Sequence, residues 1–133
     1  MNVLRIIAAV VAVQVAPFAS FAQSLLNYSD WRELEQSNKI FYVIGIYDKI
    51  EFVGDGNDEV AFALGVGHCV KEIQLNPSML VQAIDNYYED DTSTWDSPPI
   101  IALHQSIFRG PCLRFINEER AKRGLSLWTA LEK

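Results

Sequence analysis

The sequence predicts a small all-α domain of four to five helices held together by one disulfide. Two helix-start signals, an asparagine or a serine followed by proline, precede runs whose apolar residues recur every three or four positions. The chain also contains two cysteines, Cys69 and Cys112. A length of 133 residues leaves room for one domain built from these features.

The first residues have the layout of a secretory signal peptide, residues 1–22, so the predicted helical domain covers residues 23–133. Met1–Arg5 carries a positive charge, Ile6–Val15 is almost wholly apolar, and Ser20-Phe21-Ala22 supplies the small residues that precede a cleavage site. The alternative is a membrane anchor, but the apolar run is shorter than the roughly 20 residues that a bilayer span requires. We therefore expect an exported chain that has no membrane association once the leader is cleaved.

The predicted mature chain is strongly acidic. The full sequence holds 11 basic and 17 acidic residues, a net charge of −6, and removal of a leader whose one charged residue is Arg5 makes it −7. Such a charge argues against nucleic acid or an anionic membrane surface as a partner and suits a basic protein. Export also places both cysteines in an oxidising compartment, where one disulfide is the expected outcome.

The first half of the predicted domain contains one helix start and one ambiguous run. Asp30 and Glu33 resemble a capping box at the start of a helix. Residues 40–53 are rich in β-branched and aromatic side chains, which favours a strand, yet their length and their three-to-four spacing favour a helix. We prefer the helix, although the pattern leaves the strand open. The composition of Gly54–Glu59 predicts an exposed turn.

Two proline signals mark the helices that follow. Asn76-Pro77 predicts a cap and a first helical residue, and an apolar face follows as far as Tyr88. Ser97-Pro98 repeats the signal for a helix that Gly110-Pro111 ends.

A last helix is predicted from about Cys112 to Gly124, a glycine that suits a helix end. Its charged residues, Glu119 and Arg120 among them, are expected to face water. Residues 125–131 are expected to add one turn that packs Trp128.

Four side chains have the right types for a tetrahedral zinc site, namely His68, Cys69, His104 and Cys112. No CxxC or HxxxH pair places two of them on one element, and exported cysteine pairs are more often oxidised than metallated. Residues 55–59 alternate like the opening of a calcium loop, but Val60 and Val66 stand where glycine and glutamate are required. No nucleophile-elbow, HExxH or phosphate-loop motif occurs. The sequence thus predicts no metal, no cofactor and no catalytic residue.

An acidic connection between two predicted helices is the strongest candidate for a binding surface. Its sequence is Glu89-Asp90-Asp91-Thr92-Ser93-Thr94-Trp95-Asp96. Such a run is usually a mobile, solvated connection in which nothing holds the carboxylates. A tryptophan framed by acids, however, is costly to expose unless it anchors a partner. We therefore expect a partner-binding surface formed by Glu89, Asp90, Asp91, Trp95 and Asp96.

Three motifs follow one another along the chain. The first is the aromatic-Gly-aliphatic-Tyr-Asp run Phe41–Asp48, and the second is Cys69 followed by a short spacer and the predicted helix Pro77–Tyr88. The third is a helix that ends in Gly110-Pro111-Cys112. In this order, over about residues 31–113, the motifs resemble those of the Rap/Tai-type immunity proteins of bacterial type VI secretion.

The resemblance implies a small all-helical periplasmic protein in which residues 40–53 form a helix and Cys69 pairs with Cys112. It also implies a non-enzymatic immunity protein that binds and blocks a peptidoglycan amidase toxin, a cell-wall hydrolase, and that forms homodimers. An alternative of another class is a periplasmic acid-stress chaperone of the HdeA type, which is likewise small, helical, exported and single-disulfide. Such a chaperone would loosen at about pH 3 as its carboxylates become protonated.

Overall fold

The computed structural model describes residues 25–51 and 56–130, and within these ranges every regular element is helical. The predicted all-α class is confirmed, with six α-helices in place of four to five. The predicted signal peptide, residues 1–22, lies outside the described residues. The helices are α1 (Tyr28–Glu33), α2 (Gln36–Glu51), α3 (Asn57–Glu72), α4 (Pro77–Asp90), α5 (Pro99–Leu103) and α6 (Leu113–Lys122).

The start of α1 differs from the prediction by three residues. Asn27 is the cap, and its side-chain oxygen accepts a hydrogen bond of 3.1 Å from the backbone N–H of Asp30. Asp30 in turn accepts a hydrogen bond of 2.8 Å from the backbone N–H of Leu26. The predicted capping box with Asp30 as the cap was therefore wrong, because Asp30 occupies the third helical position and supplies the reciprocal acceptor.

The ambiguous run and the predicted turn both belong to helices. Gln36–Glu51 is helical, so the preferred reading of the run that begins at residue 40 is confirmed as far as residue 51. α3 begins at Asn57, inside the predicted turn, and it is the additional helix of the fold. Asp58 and Glu59 lie in its first turn, where their negative charges interact favourably with the positive end of the helix dipole.

The proline signals place the next two helices well. The Asn76 side chain caps α4 by accepting a hydrogen bond of 3.1 Å from Met79 N, with Pro77 at the first position, as predicted. α5 starts one residue later than predicted, because Pro98 is the cap residue and Pro99 the first helical residue. A π-helical segment, His104–Phe108, continues α5 and ends before Gly110.

α3 and α6 form the closest pair of helices. Gly65 of α3 lies against the backbone of Ile116, so that a Cβ at this position would be 2.8 Å from Ile116 N. The predicted disulfide is confirmed: Cys69 at the end of α3 is bonded to Cys112, with their Cα atoms 5.2 Å apart and both residues fully buried. α4 packs between α2 and α5 and completes the core.

The outer face of α6 is not a solvated face. Glu119 is 4% exposed and Arg120 is 5% exposed, so the prediction that they face water was wrong. Glu119 accepts hydrogen bonds from Lys122 at 2.5 Å and Arg123 at 2.8 Å. Arg120 forms an ion pair with Asp58 of α3. Each of the two buried charges therefore has a partner of opposite sign, and the partners Asp58 and Lys122 are themselves exposed.

Residues 125–130 pack against Arg120 and Asn117 of α6 and do not form the helical turn that was expected there. The chain leaves α6 through Gly124 at a φ of +67°, which confirms this glycine as the helix end. Asn117 then holds Trp128 through two hydrogen bonds, of 2.8 and 2.9 Å, to its backbone. The indole ring packs on Phe62 and His104, with ring centroids 5.6 and 5.4 Å away. The predicted packing of Trp128 is thus confirmed without the predicted turn. Among the described residues no helix is both long and apolar enough to cross a membrane.

Candidate functional site

The acidic loop, defined here as residues 89–96, contains a short helical turn and hydrogen bonds of its own. Glu89 and Asp90 are exposed in the last turn of α4, and Asp91 ends that helix and begins a 3₁₀ turn, Thr92–Thr94. Asp91 Oδ1 accepts a hydrogen bond of 2.8 Å from Ser93 N, and the Thr94 hydroxyl donates to Asp91 O at 2.6 Å. Asp91 is therefore held by hydrogen bonds within the loop, against the expectation that nothing holds the carboxylates of this connection.

The carboxylate of Asp91 is held in its charged form. The backbone N–H and the hydroxyl of Ser93 both hydrogen-bond to it and lower its pKa below the usual value. The loop thus presents a negative charge at the end of α4, where three consecutive acids, Glu89 to Asp91, are all exposed.

Trp95 is fixed in place while much of its indole remains accessible. The side chain is 45% exposed. Its Nε1–H donates a hydrogen bond of 2.9 Å to Tyr88 O, and its ring lies 5.0 Å from the ring of Tyr28. The backbone N–H of Tyr28 donates to Trp95 O at 2.9 Å. Two contacts therefore orient the indole in the absence of a partner, and the backbone hydrogen bond holds the residue against α1.

Tyr88 links this tryptophan to the core. It is fully buried, its hydroxyl donates a hydrogen bond of 2.6 Å to Ser97 O, and its ring lies 5.0 Å from that of Tyr28. Burial raises the pKa of Tyr88, so the phenol stays neutral at physiological pH. The C-terminal end of the acidic loop is consequently fastened to Tyr88 of α4, whose hydroxyl binds Ser97 O and whose carbonyl binds the Trp95 indole.

An open groove of about 310 Å³ lies between α1 and the acidic loop, and it is called the aromatic groove below. Trp95 and Asp96 line it, whereas Glu89, Asp90 and Asp91 do not. The structure therefore divides the five predicted binding residues into a pair that lines the groove and three exposed acids that do not. The other lining residues are Asn27, Tyr28, Ser29 and Arg32.

The four groove residues from the α1 region were not predicted as site residues. Tyr28 and Arg32 stand far from Trp95 in the sequence, and no local pattern indicates that they meet it. A weak signal was present, because an arginine one helical turn after a tyrosine can place its guanidinium over the ring. In the structure the guanidinium carbon of Arg32 lies 5.7 Å from the centre of the Tyr28 ring.

The residues weighed as zinc ligands are dispersed over the fold. Cys69 and Cys112 are joined in the disulfide. His68 Nδ1 lies 3.6 Å from Glu119 Oε1, while His104 packs on Trp128. Burial, followed by the nearby charge of Arg109, lowers the pKa of His104. Within residues 25–51 and 56–130 no three His, Cys, Asp or Glu side chains are placed to hold a metal ion.

A second surface feature is the α2 face, defined by Phe41, Ile44 and Gly45. Phe41 is 70% exposed and Ile44 36% exposed, and a Cβ added at Gly45 would meet nothing within 4 Å. The face borders a mainly apolar cavity of about 220 Å³. Its lining residues are Val43, Ile44, Tyr47, Val70, Leu75, Asn76, Pro77 and Leu80.

In comparisons with known proteins, the sequence matches no family model, no curated protein and no solved structure at a significant level.

Proposed function

We propose that the chain is a non-enzymatic periplasmic immunity protein that binds and occludes a peptidoglycan-degrading, amidase-type hydrolase. The observation that carries the proposal is the fixed, half-exposed Trp95 inside an acidic surface. The resemblance of its motifs to Rap/Tai-type immunity proteins supplies the class of partner. The predicted signal peptide supplies the compartment.

The geometry around Trp95 favours protein recognition. Tryptophan is enriched among the residues that dominate binding energy at interfaces. A side chain that is already immobilised loses less conformational entropy on binding, which leaves more of the contact energy as affinity. Tyr28 and Tyr88 immobilise this one.

The surrounding acids favour a basic partner. Glu89, Asp90, Asp91 and Asp96 are exposed within a single loop of an acidic chain. Complementary charge accelerates association and excludes wrong partners more than it adds affinity. The acidic loop would contact a cleft lined by basic residues in the hydrolase, and Trp95 would insert into that cleft.

The test is binding of the mature chain to peptidoglycan hydrolases encoded beside its gene. The double substitution Trp95→Ala with Asp96→Ala is expected to weaken the complex by about 30-fold or more, as for the loss of an interface hot spot. Isothermal titration calorimetry measures the affinity, and inhibition of cell-wall hydrolysis measures the effect.

Asp48→Ala is the matched control, since Asp48 is an exposed acid of α2 outside the loop. Circular dichroism establishes that each variant is folded. Unchanged affinity in the double variant, or binding to none of these hydrolases, would exclude this function for the acidic loop.

The α2 face is proposed as a contact between two copies of the chain. Large exposed apolar residues such as Phe41 commonly mark interaction surfaces. A two-fold dimer uses the same patch on both subunits, so an apolar helix face can pair with itself. This contact would leave the acidic loop, which lies on α4 and α1, available to the hydrolase.

The acid-stress chaperone is the second candidate, and the buried charges favour it. Hydrogen bonds from Lys122 and then Arg123 lower the pKa of Glu119, and burial lowers that of His104. Both groups bind protons more readily in the unfolded chain, so acid destabilises the fold through each of them. Suppression of client aggregation at about pH 3 by the mature chain would favour this function.

The variant Glu119→Gln tests the acid response. It is expected to lower the free energy of unfolding at neutral pH by about 1.5 kcal/mol, because charged hydrogen bonds are lost. The wild-type contribution is present above the ordinary glutamate pKa of 4.5 and disappears as the pH falls through the lower folded value. As the pH falls below 4.5, the variant should therefore lose less stability than the wild type.

Urea denaturation over a series of pH values measures this difference. Glu118→Gln is the control, since Glu118 is the exposed neighbour in α6. Parallel pH curves for wild type and Glu119→Gln would show that Glu119 does not set the acid response.

A further inference from the structure

The aromatic groove contains one positively and one negatively charged side chain, and neither is paired with another described residue. The guanidinium of Arg32 lies over the Tyr28 ring and forms no hydrogen bond or ion pair with another described residue. The carboxylate of Asp96 likewise forms none. Both side chains line the same groove, so a ligand there would meet one strong donor and one strong acceptor.

The floor of the groove is aromatic, and it is formed by two rings that are tilted by 35° to each other. The Tyr28 and Trp95 rings lie 5.0 Å apart, and the backbone hydrogen bond between these residues ties the two walls together. Because Trp95 Nε1–H already donates to Tyr88 O, the indole contributes a surface to the groove and no free donor. Asn27 uses its side-chain oxygen as the helix cap, which leaves its amide N–H groups to donate.

Charge decides which ligands fit. A cation in the groove would be attracted by Asp96 but repelled by Arg32, and an anion would be attracted by Arg32 but repelled by Asp96. A neutral ligand avoids both costs if its polar groups can donate as well as accept. Hydroxyl groups do both, so adjacent hydroxyls of one ring can accept from Arg32 and donate to Asp96.

The size and shape of the groove narrow the class of ligand further. A volume of about 310 Å³ is at the small end of ligand pockets, which hold apolar walls and a few polar groups that fix orientation. A pyranose ring has a flat C–H face and a rim of hydroxyls, and that combination matches an aromatic floor with a polar edge.

We propose that the aromatic groove binds one pyranose ring of a neutral oligosaccharide, with the C–H face of the ring on Trp95. Arg32 and Asn27 donate to its hydroxyls, and Asp96 accepts from one of them. The inference shares Trp95 and Asp96 with the proposed function, but it does not rest on hydrolase binding, because it concerns a small ligand. Free oligosaccharide and polymeric cell-wall glycan share this chemistry.

The experiment is a titration of the ¹⁵N-labelled mature chain followed by NMR. The probes are tri-N-acetylglucosamine and maltotriose, with N-acetylarginine amide as a cationic probe and acetate as an anionic one. A sugar is expected to shift the indole N–H signal of Trp95 and leave that of the buried Trp31 unchanged, with a Kd on the order of 1 mM. Co-sedimentation with insoluble cell-wall glycan then separates the polymeric source from the free one.

Two substitutions test the polar contacts proposed for Arg32 and Asp96. Arg32→Gln and Asp96→Asn are each expected to weaken sugar binding by about tenfold, as for the loss of a hydrogen bond to a charged group. Arg114→Gln and Asp48→Asn are the matched controls, because Arg114 also lies over an aromatic ring, that of Phe115, and neither residue lines the groove. The amide spectrum of each variant establishes that it is folded.

Three results would overturn the proposal. One is the absence of any Trp95 shift with either sugar at about ten times the expected Kd. Another is a shift with the arginine amide or acetate alone, which would assign the groove to a charged ligand. The third is equal weakening by the control variants. None of them bears on hydrolase binding, which is measured with a protein partner.

Discussion

Removal of the disulfide by Cys69→Ser with Cys112→Ser is expected to lower the free energy of unfolding by about 4 kcal/mol. The bond joins residues separated by 43 positions, and the entropy that it removes from the unfolded chain grows with the length of this loop. A small domain is stabilised by about 5–15 kcal/mol in total, so the loss is a large share. Guanidinium denaturation followed by circular dichroism measures it.

The reduced wild-type chain is the control for this measurement. Two serines buried in place of the cysteines would add the cost of unpaired hydroxyl groups, whereas reduction in dithiothreitol leaves two small apolar thiols. Agreement between the two would assign the loss to the cross-link. A loss below about 1 kcal/mol on reduction would contradict the chain-entropy account for this bond. Hydrolase binding should persist wherever the reduced chain remains folded.

Gly65→Ala is expected to destabilise the fold by about 3 kcal/mol, the upper range for an overpacked core. Its Cβ would overlap Ile116 Cα and lie 2.8 Å from Ile116 N. Both obstructing atoms belong to the backbone of α6, so no side-chain rotation can relieve the overlap. The two helices would have to separate, and the contacts around the neighbouring disulfide would loosen with them.

Gly67→Ala is the matched control two residues further along α3. A Cβ there meets nothing within 4 Å, and alanine is the better helix former. This variant is expected to stabilise the protein by about 0.5–1 kcal/mol. Urea denaturation of the two variants should therefore give shifts of opposite sign. Equal effects would mean that helix propensity, and not the close approach of α6, governs position 65.

Short sequence motifs predicted those helices whose first or last residue is determined by residues adjacent in the sequence. Asn76 and Pro77 start α4 because a cap and its helix are adjacent in the chain. The same reasoning placed the capping box of α1 three residues late, since Asn27 and Asp30 form an equivalent pair just upstream. Local patterns therefore indicate that a helix begins and leave its first residue less certain.

Contacts between distant segments could not be predicted in this way. Glu119 and Arg120 have the sequence character of a solvated face, yet Arg120 is buried where it donates to Ser126 O, and Glu119 is buried near His68 of α3. In the candidate site, the acidic loop and Trp95 were found from composition. Its other wall was not, because Tyr28 and Arg32 reach Trp95 only through tertiary packing.

The three tryptophans of the chain occupy three different environments, which gives the protein its own optical reporters. Trp31 is fully buried and donates a hydrogen bond of 2.7 Å to Asp85. The guanidinium carbons of Arg109 and Arg120 lie 5.3 and 5.1 Å from the centre of the Trp128 ring, and Trp95 is the most exposed of the three tryptophans. A collisional quencher would reach Trp95 first, whereas unfolding would change the fluorescence emission of all three tryptophans. Fluorescence can thereby distinguish occupation of the acidic loop from loss of the fold in a single unlabelled sample.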